Sequence, residues 1–194
     1  IAAERGKSVD EPRYRQRMQE QKERARSRRK SSDVDAWSAE GAAFDELEPT
    51  QFVGYERMES DATILMLVKN GEQVSSAEEG EEVTVVLDRT PFYGESGGQV
   101  GDSGTIYGAG SMISVTDTKK SDGVYIHLGT IVNGDIAVGD TIRAEVNDIR
   151  RTSIKRNHSA AHLLQAALRS VLGNHVEQAG SFVDETRCRF DFTH

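Results

Sequence analysis

The sequence contains a single cysteine, Cys188, and no long run of apolar residues. One cysteine rules out a framework of internal disulfide bonds and is typical of proteins in a reducing compartment such as the cytoplasm. No segment approaches the roughly 18 consecutive apolar residues that a membrane-spanning helix requires. We therefore expect a cytoplasmic location and no membrane among the partners.

Charged residues are abundant but unevenly distributed. Residues 1–30 contain 11 Lys and Arg against 5 Asp and Glu, a balance of +6, whereas the rest of the 194-residue chain has a balance of −14. A basic segment on an acidic body can attract a polyanion. The alternative is a solvated helix whose charges simply face water.

Three regions with different sequence patterns predict an α+β fold. Residues 1–49 favour a helical arm, with Asp10 and Pro12 at a helix start. Residues 50–149 favour a small β-barrel. Residues 150–194 favour the start of a subdomain in which a helix packs on a sheet.

The barrel is indicated by segments rich in β-branched residues, separated by turns rich in Gly and Asp. The clearest turn signal is Asn70-Gly71, since both positions tolerate a positive φ. Short strands at this spacing are typical of a closed or nearly closed barrel. The predicted strands are Ala62–Val68, Val83–Leu87, Thr105–Tyr107, Met112–Asp117, Val124–Leu128 and Thr141–Asn147.

Helical periodicity begins after Arg150. The apolar residues of Ser153–Leu172 recur on one helical face, and Gly173 is a natural end of the helix. Phe182–Val183 and Arg187–Phe192 follow as strands, which we expect to pack on the helix.

Two histidines, His158 and His162, lie four residues apart in this predicted helix. Residues at this spacing share one face of a helix, and two imidazoles are half of a tetrahedral zinc site. The His-Glu-x-x-His motif of zinc peptidases has the same spacing. Here Ser159 occupies the position of the Glu that activates water, which argues against a peptidase. Taken alone, the pair also fits a polar helix face without a metal.

A glycine-rich segment, Arg89–Gly104, has five glycines within eleven residues. Glycine permits tight turns and a close approach of the backbone to a ligand. The segment is not a phosphate-binding P-loop, because no Gly-Lys-Ser/Thr follows. Gln99 stands out in it as an uncharged donor and acceptor. A glycine-kinked barrel corner is the alternative, and it is compatible with a functional role.

Four cations stand at the start of the helix that carries the histidines: Arg150, Arg151, Lys155 and Arg156. Positive charge at a helix N-terminus opposes the helix dipole, so stability alone does not favour it. Phosphate binding offers a reason to keep these residues. A solvated helix start, with the cations paired to nearby acids, is the alternative.

Together these segments resemble alanyl-tRNA synthetases and the freestanding editing proteins related to them. The pattern Phe-Tyr-x-x-Ser-Gly-Gly-Gln-x-Gly-Asp-x-Gly occurs at Phe92–Gly104, and Asn-His-Ser-Ala-x-His-Leu-Leu occurs at Asn157–Leu164. Further similarity lies in residues 9–26, Val171–Val176, Gln178–Ser181 and Arg189–Phe192.

The resemblance implies a segment of an enzyme that uses ATP and Mg²⁺ to attach alanine to its tRNA, on a class II catalytic domain that would precede Ile1. This segment would belong to the editing region, which hydrolyses seryl- or glycyl-tRNA made in error. The implied partners are the acceptor end of tRNA(Ala), which the four cations would contact, and the rest of the synthetase chain. The rival hypothesis is a non-catalytic module that binds tRNA or positions neighbouring domains.

The resemblance also implies roles for individual residues. His158 and His162 match two zinc ligands of the family, and Gln99 matches a glutamine associated with substrate handling. The family's second ligand pair, a Cys-x-x-x-His, is missing, because no histidine stands four positions after Cys188. We therefore expect the natural chain to continue beyond His194 and the isolated segment to be inactive.

A second, hydrolytic site is needed because a pocket that selects alanine rejects serine only weakly and admits the smaller glycine. This second site must distinguish a seryl ester from an alanyl ester. A buried polar group that bonds the serine hydroxyl would be left unpaired by an alanyl ester. Gln99 and Ser181 are both candidates for that group.

Overall fold

The structure, a computed structural model, describes Arg13, Arg17, Phe44 and residues 47–194. The chain divides into two units, residues 1–38 and 39–194, and every strand and the long helix given below belong to the second. Most of the predicted helical arm therefore lies outside the described residues, although Arg13 and Arg17 are helical.

The described elements are thirteen strands and one long helix. In chain order they are β1 Gln51–Phe52, β2 Glu59–Lys69, β3 Glu72–Val74, β4 Ser76–Ala77, β5 Glu82–Leu87, β6 Arg89–Thr90, β7 Gly104–Tyr107, β8 Met112–Ser121, β9 Val124–Asn133, β10 Ile136–Ala137, β11 Thr141–Val146, α1 Asp148–Leu172, β12 Glu177–Val183 and β13 Cys188–Thr193.

The predicted barrel is confirmed. Six strands pair in the order β11-β7-β8-β9-β5-β2, and β2 pairs back with β11 to close the sheet. The short β3 extends β2 as a hairpin whose turn is Asn70-Gly71, with φ of 50° and 83°. Strands β8 and β9 are longer than predicted. Strand β8 continues past Asp117 through polar residues to Ser121, which hydrophobicity does not reveal, and β9 continues past Gly129 to Asn133.

The barrel core follows from the two-residue period of its strands. In β11 the side chains of Ile142, Ala144 and Val146 point into the core, while Arg143 and Glu145 face solvent. Fully burying a large aliphatic side chain contributes about 1.5–3 kcal/mol. The interior is filled by such residues from every strand of the closed sheet, among them Ile64, Leu67, Val85, Leu87, Ile106, Ile113, Val115 and Ile131.

One histidine, His127 on β9, is completely buried in this part of the molecule. Its Nδ1 lies 2.9 Å from the Val85 carbonyl oxygen and its Nε2 lies 2.8 Å from the Thr90 hydroxyl. The Phe92 amide in turn donates to that hydroxyl oxygen at 3.1 Å. Burial lowers the pKa of His127 from 6.5 to about 4, so the ring is neutral at physiological pH.

Helix α1 begins earlier than its apolar periodicity predicts. Asn147 caps it by accepting a hydrogen bond from the Arg150 amide at 3.0 Å, and the helix runs from Asp148. Its predicted end at Gly173 is confirmed; that residue has φ 115°. No helix within the described residues is long and apolar enough to cross a membrane.

The antiparallel hairpin of β12 and β13 packs on α1, as the sequence predicts. A small apolar cluster joins them: Ile154 and Ala161 from the helix meet Val183 and Cys188 from the hairpin. Val100 of the glycine-rich segment packs against the same cluster. The glycine-rich segment that leaves the barrel therefore packs against the helix and hairpin, in a cluster separate from the barrel core.

Candidate functional site

His158 and His162 lie side by side on α1. Their rings stack with centroids 5.0 Å apart and an interplanar angle of 22°. His158 is partly buried and His162 is exposed. Because the helix is continuous from its Asn147 cap, the four-residue spacing holds the two imidazoles on one face.

Gln99 meets this pair from the barrel side. Its side chain is 7% exposed, and its Oε1 lies 2.5 Å from Nδ1 of His158. An amide oxygen only accepts, so Nδ1 of His158 donates the proton. In the neutral ring Nε2 then carries the lone pair, which is the form that a metal ligand or a general base requires.

The glycine-rich loop reaches β12 through backbone contacts. The Val183 amide donates to the Gly98 carbonyl at 2.8 Å, and the Val100 amide donates to the Val183 carbonyl at 3.0 Å. Gln99 thereby forms a parallel bridge with Val183. Residue 98 must be glycine here, because it has φ 84° and a Cβ would lie 2.7 Å from Oγ of Ser181 and closer still to the Ser181 carbonyl oxygen.

Ser181 lies against the same loop. Its hydroxyl is 3.3 Å from the carbonyl oxygen of Gly97, to which it donates. Both candidates for recognising a serine hydroxyl, Gln99 and Ser181, are thus held at the contact between the loop and β12. The sequence placed them in separate motifs 82 residues apart.

The predicted phosphate contact requires an exposed Arg151, but the structure buries this residue. The residue is 6% exposed, and Nε donates to Oδ2 of Asp102 at 2.7 Å. Its other nitrogens donate to the carbonyls of Gly54 at 3.0 Å and Pro91 at 2.7 Å. With its donors occupied inside the protein, Arg151 fastens α1 to the barrel and is not available to RNA phosphate.

Asp102, the carboxylate partner of Arg151, is not predicted from the sequence. It is 1% exposed, and besides Arg151 it accepts a hydrogen bond from the Tyr93 amide at 2.7 Å. Its place between two glycines in the motif Gly-Asp-x-Gly is typical of a surface turn and gave no sign of its burial.

The remaining three cations divide between the inner and outer sides of the helix. Arg150 donates to the Gly101 carbonyl at 2.7 Å and pairs with Glu185 at 3.2 Å. Lys155 and Arg156 are exposed and border a shallow depression with Ser159, Ala160, Thr152 and Leu163. The four predicted residues therefore do not act as one cluster.

The described residues supply two imidazoles for a metal ion but not a complete ligand set. Among residues 13, 17, 44 and 47–194, no group of three or more His, Cys, Asp or Glu side chains could hold a metal. Cys188 packs instead in the apolar cluster beneath α1. Structural and catalytic zinc sites use three or four protein ligands, so the two imidazoles by themselves do not make up a zinc site.

The chain is similar to alanine–tRNA ligases from several organisms. The chain is 46% identical over 196 residues to the alanine–tRNA ligase of Acetivibrio thermocellus and 45% identical over 198 residues to that of Chloroflexus aurantiacus. It is 47% identical over 195 residues to that of Roseiflexus castenholzii. Each match covers 100% of this chain but only 22%, 22% and 21% of the respective relative, so the chain spans about a fifth of their length.

These similarities confirm the resemblance that the motifs indicated. The sequence model of the family described as tRNA synthetases class II (A) also matches residues 1–150, which is most of the chain. The chain therefore belongs to the class II (A) tRNA synthetases.

Proposed function

We propose that this chain is a segment of an alanine–tRNA ligase and contributes to its proofreading site, which hydrolyses the ester of seryl- or glycyl-tRNA made in error. The observation that supports this most directly is the contact between Gln99 Oε1 and His158 Nδ1 at 2.5 Å. It brings together the glycine-rich loop and the histidine helix, two motifs that are 59 residues apart in the chain.

The pair His158 and His162 would hold a zinc ion through two of its ligands, the others coming from outside the described residues. When bound, zinc polarises an ester carbonyl or activates a water molecule. The protein's own contribution is positioning. Gln99 fixes the tautomer of His158, and helix α1 fixes the spacing of the two rings.

Discrimination in favour of serine would come from a polar group at the contact between the loop and β12. Gln99 and Ser181 are both placed there, one nearly buried and one partly buried. A seryl ester would satisfy such a group through its hydroxyl, whereas an alanyl ester would leave it unpaired at a cost of about 1–3 kcal/mol.

The tRNA acceptor end is the proposed macromolecular partner, with the rest of the synthetase chain as the second. Lys155 and Arg156 are exposed on α1 and suit contact with phosphate. ATP and Mg²⁺ would be bound by a catalytic domain of the parent enzyme and not by this segment. The cytoplasm, where translation uses charged tRNA, is the proposed location.

A non-catalytic module that binds tRNA or positions domains is the alternative. It is favoured by the absence of a complete ligand group among the residues that the structure describes. In that case the histidine pair would have no part in hydrolysis.

The deciding experiment measures hydrolysis of seryl-tRNA(Ala) and formation of alanyl-tRNA(Ala) by the full-length enzyme. We expect His158→Ala and His162→Ala each to abolish hydrolysis while charging is retained. His175→Ala is the matched control, since that histidine bonds to His194 outside the pair, and it should leave hydrolysis intact. Unchanged hydrolysis in both pair variants would support the non-catalytic alternative.

A zinc titration of the 194-residue chain tests the half-site separately. We expect weak binding that is lost in His158→Ala. Tight binding by this chain alone would mean that the remaining ligands lie within it, contrary to the proposal.

A further inference from the structure

An aromatic cluster lies on the barrel surface, outside the contact between the loop and the histidine helix. Phe52 stacks on Tyr125 with ring centroids 5.3 Å apart and an interplanar angle of 2°. Tyr55 and Tyr93 approach Phe52 edge-on at 5.0 Å and 6.4 Å. We call these four residues the aromatic platform.

Tyr55 is the member that the fold does not cover. It is 89% exposed, the highest value among the large hydrophobic residues that the structure describes as exposed. Exposure of a single aromatic residue is ordinary, but the edge of this ring also contacts Phe52 while its faces stay open to solvent. An exposed tyrosine offers a flat surface for stacking and has only two side-chain torsions to order.

The backbone under Tyr55 is also fixed. The amides of Glu56 and Arg57 both donate to the Val53 carbonyl, at 3.3 Å and 3.2 Å. The Gly54 carbonyl accepts from the buried Arg151 at 3.0 Å. Tyr55 is therefore presented from a tight turn tied to the core, and little further ordering is needed when a ligand binds.

The charge around the platform differs from that of the rest of the barrel. Residues 50–149 contain 6 Lys and Arg against 17 Asp and Glu, so cations are scarce. Four of the six are ion-paired, namely Lys69 with Glu81, Arg89 with Asp88, Lys119 with Glu95 and Asp117, and Arg143 with Glu59.

The two barrel cations without a carboxylate partner among the described residues are Arg57 and Lys120. Arg57 belongs to the same turn as Tyr55. The Lys120 ammonium lies 4.9 Å from the centroid of the Tyr125 ring. In an otherwise acidic barrel, both of these cations thus lie at the platform, Lys120 over the buried Tyr125 ring and Arg57 in the turn of Tyr55, which also carries Glu56. Nucleotides match this chemistry, with a base that stacks and a phosphate that pairs with a cation.

The platform is linked to the histidine site by one loop. Tyr93 belongs to the platform, and Gln99, six residues later, contacts His158. Six residues span at most about 20 Å when fully extended. A single-stranded nucleic acid end could therefore cross both surfaces.

We propose that the aromatic platform binds an unpaired nucleotide of an RNA single strand, its base stacking on Tyr55 and a neighbouring phosphate pairing with Lys120 or Arg57. This inference rests on the proposed function for the identity of the RNA as the acceptor end of a tRNA. The platform then holds the strand while its terminal ester reaches the histidine site.

The test measures binding of the 194-residue chain to a fluorescent RNA hairpin that ends in an unpaired 3′ tail, with the blunt-ended hairpin as reference. Stacking on one aromatic ring contributes about 1–3 kcal/mol, so Tyr55→Ala should weaken binding of the tailed hairpin by roughly 5- to 150-fold. Tyr55→Phe keeps the ring and should bind nearly as the unaltered chain does. Tyr107→Ala is the matched control, because Tyr107 is 40% exposed on β7 and has no place in the platform.

Two further readouts separate stacking from a general loss of affinity. A fluorescent adenine analogue in the tail should be quenched by the unaltered chain and by Tyr55→Phe, but not by Tyr55→Ala. Lys120→Gln should lower the slope of log affinity against log salt concentration by about 0.7, whereas Tyr55→Ala should leave that slope unchanged. Equal affinity of the tailed and blunt hairpins, or full affinity in Tyr55→Ala, would overturn the inference.

The outcomes distinguish this inference from the proposed function. If Tyr55→Ala binds RNA normally while the full-length enzyme still hydrolyses seryl-tRNA through His158 and His162, only the platform is wrong. If the tail binds through Tyr55 but the histidine variants hydrolyse seryl-tRNA normally, the proofreading assignment is wrong and the platform stands. Loss of docking to the rest of the synthetase with unchanged RNA affinity would identify a protein-binding surface instead, and would refute the inference.

Discussion

Replacing Arg151 with Met removes the guanidinium that fastens helix α1 to the barrel. The Arg151 and Asp102 side chains are only 7% and 1% exposed, so the substitution leaves a buried carboxylate without its counter-charge. The Gly54 and Pro91 carbonyls lose a donor at the same time. Breaking one side of a buried ion pair costs about 3–5 kcal/mol, which is a large part of the total stability of a domain.

Urea denaturation of the 194-residue chain, followed by circular dichroism, measures this cost. Arg151→Met and Asp102→Leu should each lower the free energy of unfolding by about 3–5 kcal/mol. The double variant should lose less than the sum, with a coupling energy of about 1–3 kcal/mol, because it leaves neither charge unpaired. Arg151→Lys retains the charge without the forked donors and should fall between the unaltered chain and Arg151→Met.

The matched control is Arg143→Met. Arg143 also pairs with an acid, Glu59, but their side chains are 54% and 56% exposed. An exposed pair is worth at most about 1 kcal/mol, so this variant should remain close to the unaltered chain. Equal effects of the two substitutions, or strict additivity in the cycle, would refute the structural role of Arg151. A loss of RNA affinity in Arg151→Met at unchanged stability would restore the phosphate contact that the sequence suggested.

Three further predictions follow from the geometry. The pKa of His127 is about 4 in the folded chain against 6.5 when exposed, so the unfolded state binds more protons between these two pH values. The free energy of unfolding should therefore fall by roughly 3 kcal/mol as the pH drops from 6.5 to 4. The same titration of His127→Gln, subtracted from that of the unaltered chain, isolates this loss. Gly98→Ala should detach the loop from β12 and lower seryl-tRNA hydrolysis in the full-length enzyme. Gly97→Ala should cost only the strain of its φ of 59°, about 1–2 kcal/mol, since no atom lies within 4 Å of the added Cβ, and equal losses in the two variants would contradict the contact with Ser181. Gln99→Ala should reduce hydrolysis about 10- to 100-fold, because the His158 ring loses its hydrogen-bond acceptor. Gln99→Glu retains an acceptor and should keep part of the activity. A fully active Gln99→Ala would show that the contact is incidental.

Local chemistry made several elements predictable. The Asn70-Gly71 turn and the helix end at Gly173 need only a positive φ, which is a property of those residues themselves. The strands of the barrel were recognisable because their alternating or wholly apolar patterns survive in isolation. The four-residue spacing of His158 and His162 likewise determines a shared face once the segment is a helix.

Features that depend on distant partners were not predictable in this way. Arg151 appeared as a surface cation because nothing in its own helix reveals Asp102, which lies 49 residues earlier. His127 gave no signal, since its two partners come from β5 and β6. The contact of Gln99 with His158 depends on the closure of the barrel, on the glycine loop and on the start of α1 together.

These contacts make the geometry of the histidine site depend on the barrel. The interactions that join the two parts include the buried pair Arg151–Asp102, the backbone bridge between Gln99 and Val183, and the apolar contact of Val100 with the cluster beneath α1. The ion pair and the Gln99–His158 contact are two turns apart on one rigid helix, at positions 151 and 158. A rotation of α1 that preserved one of them would displace the other. The ion pair and the Gln99–His158 contact therefore together constrain the angle at which α1 presents His158 and His162.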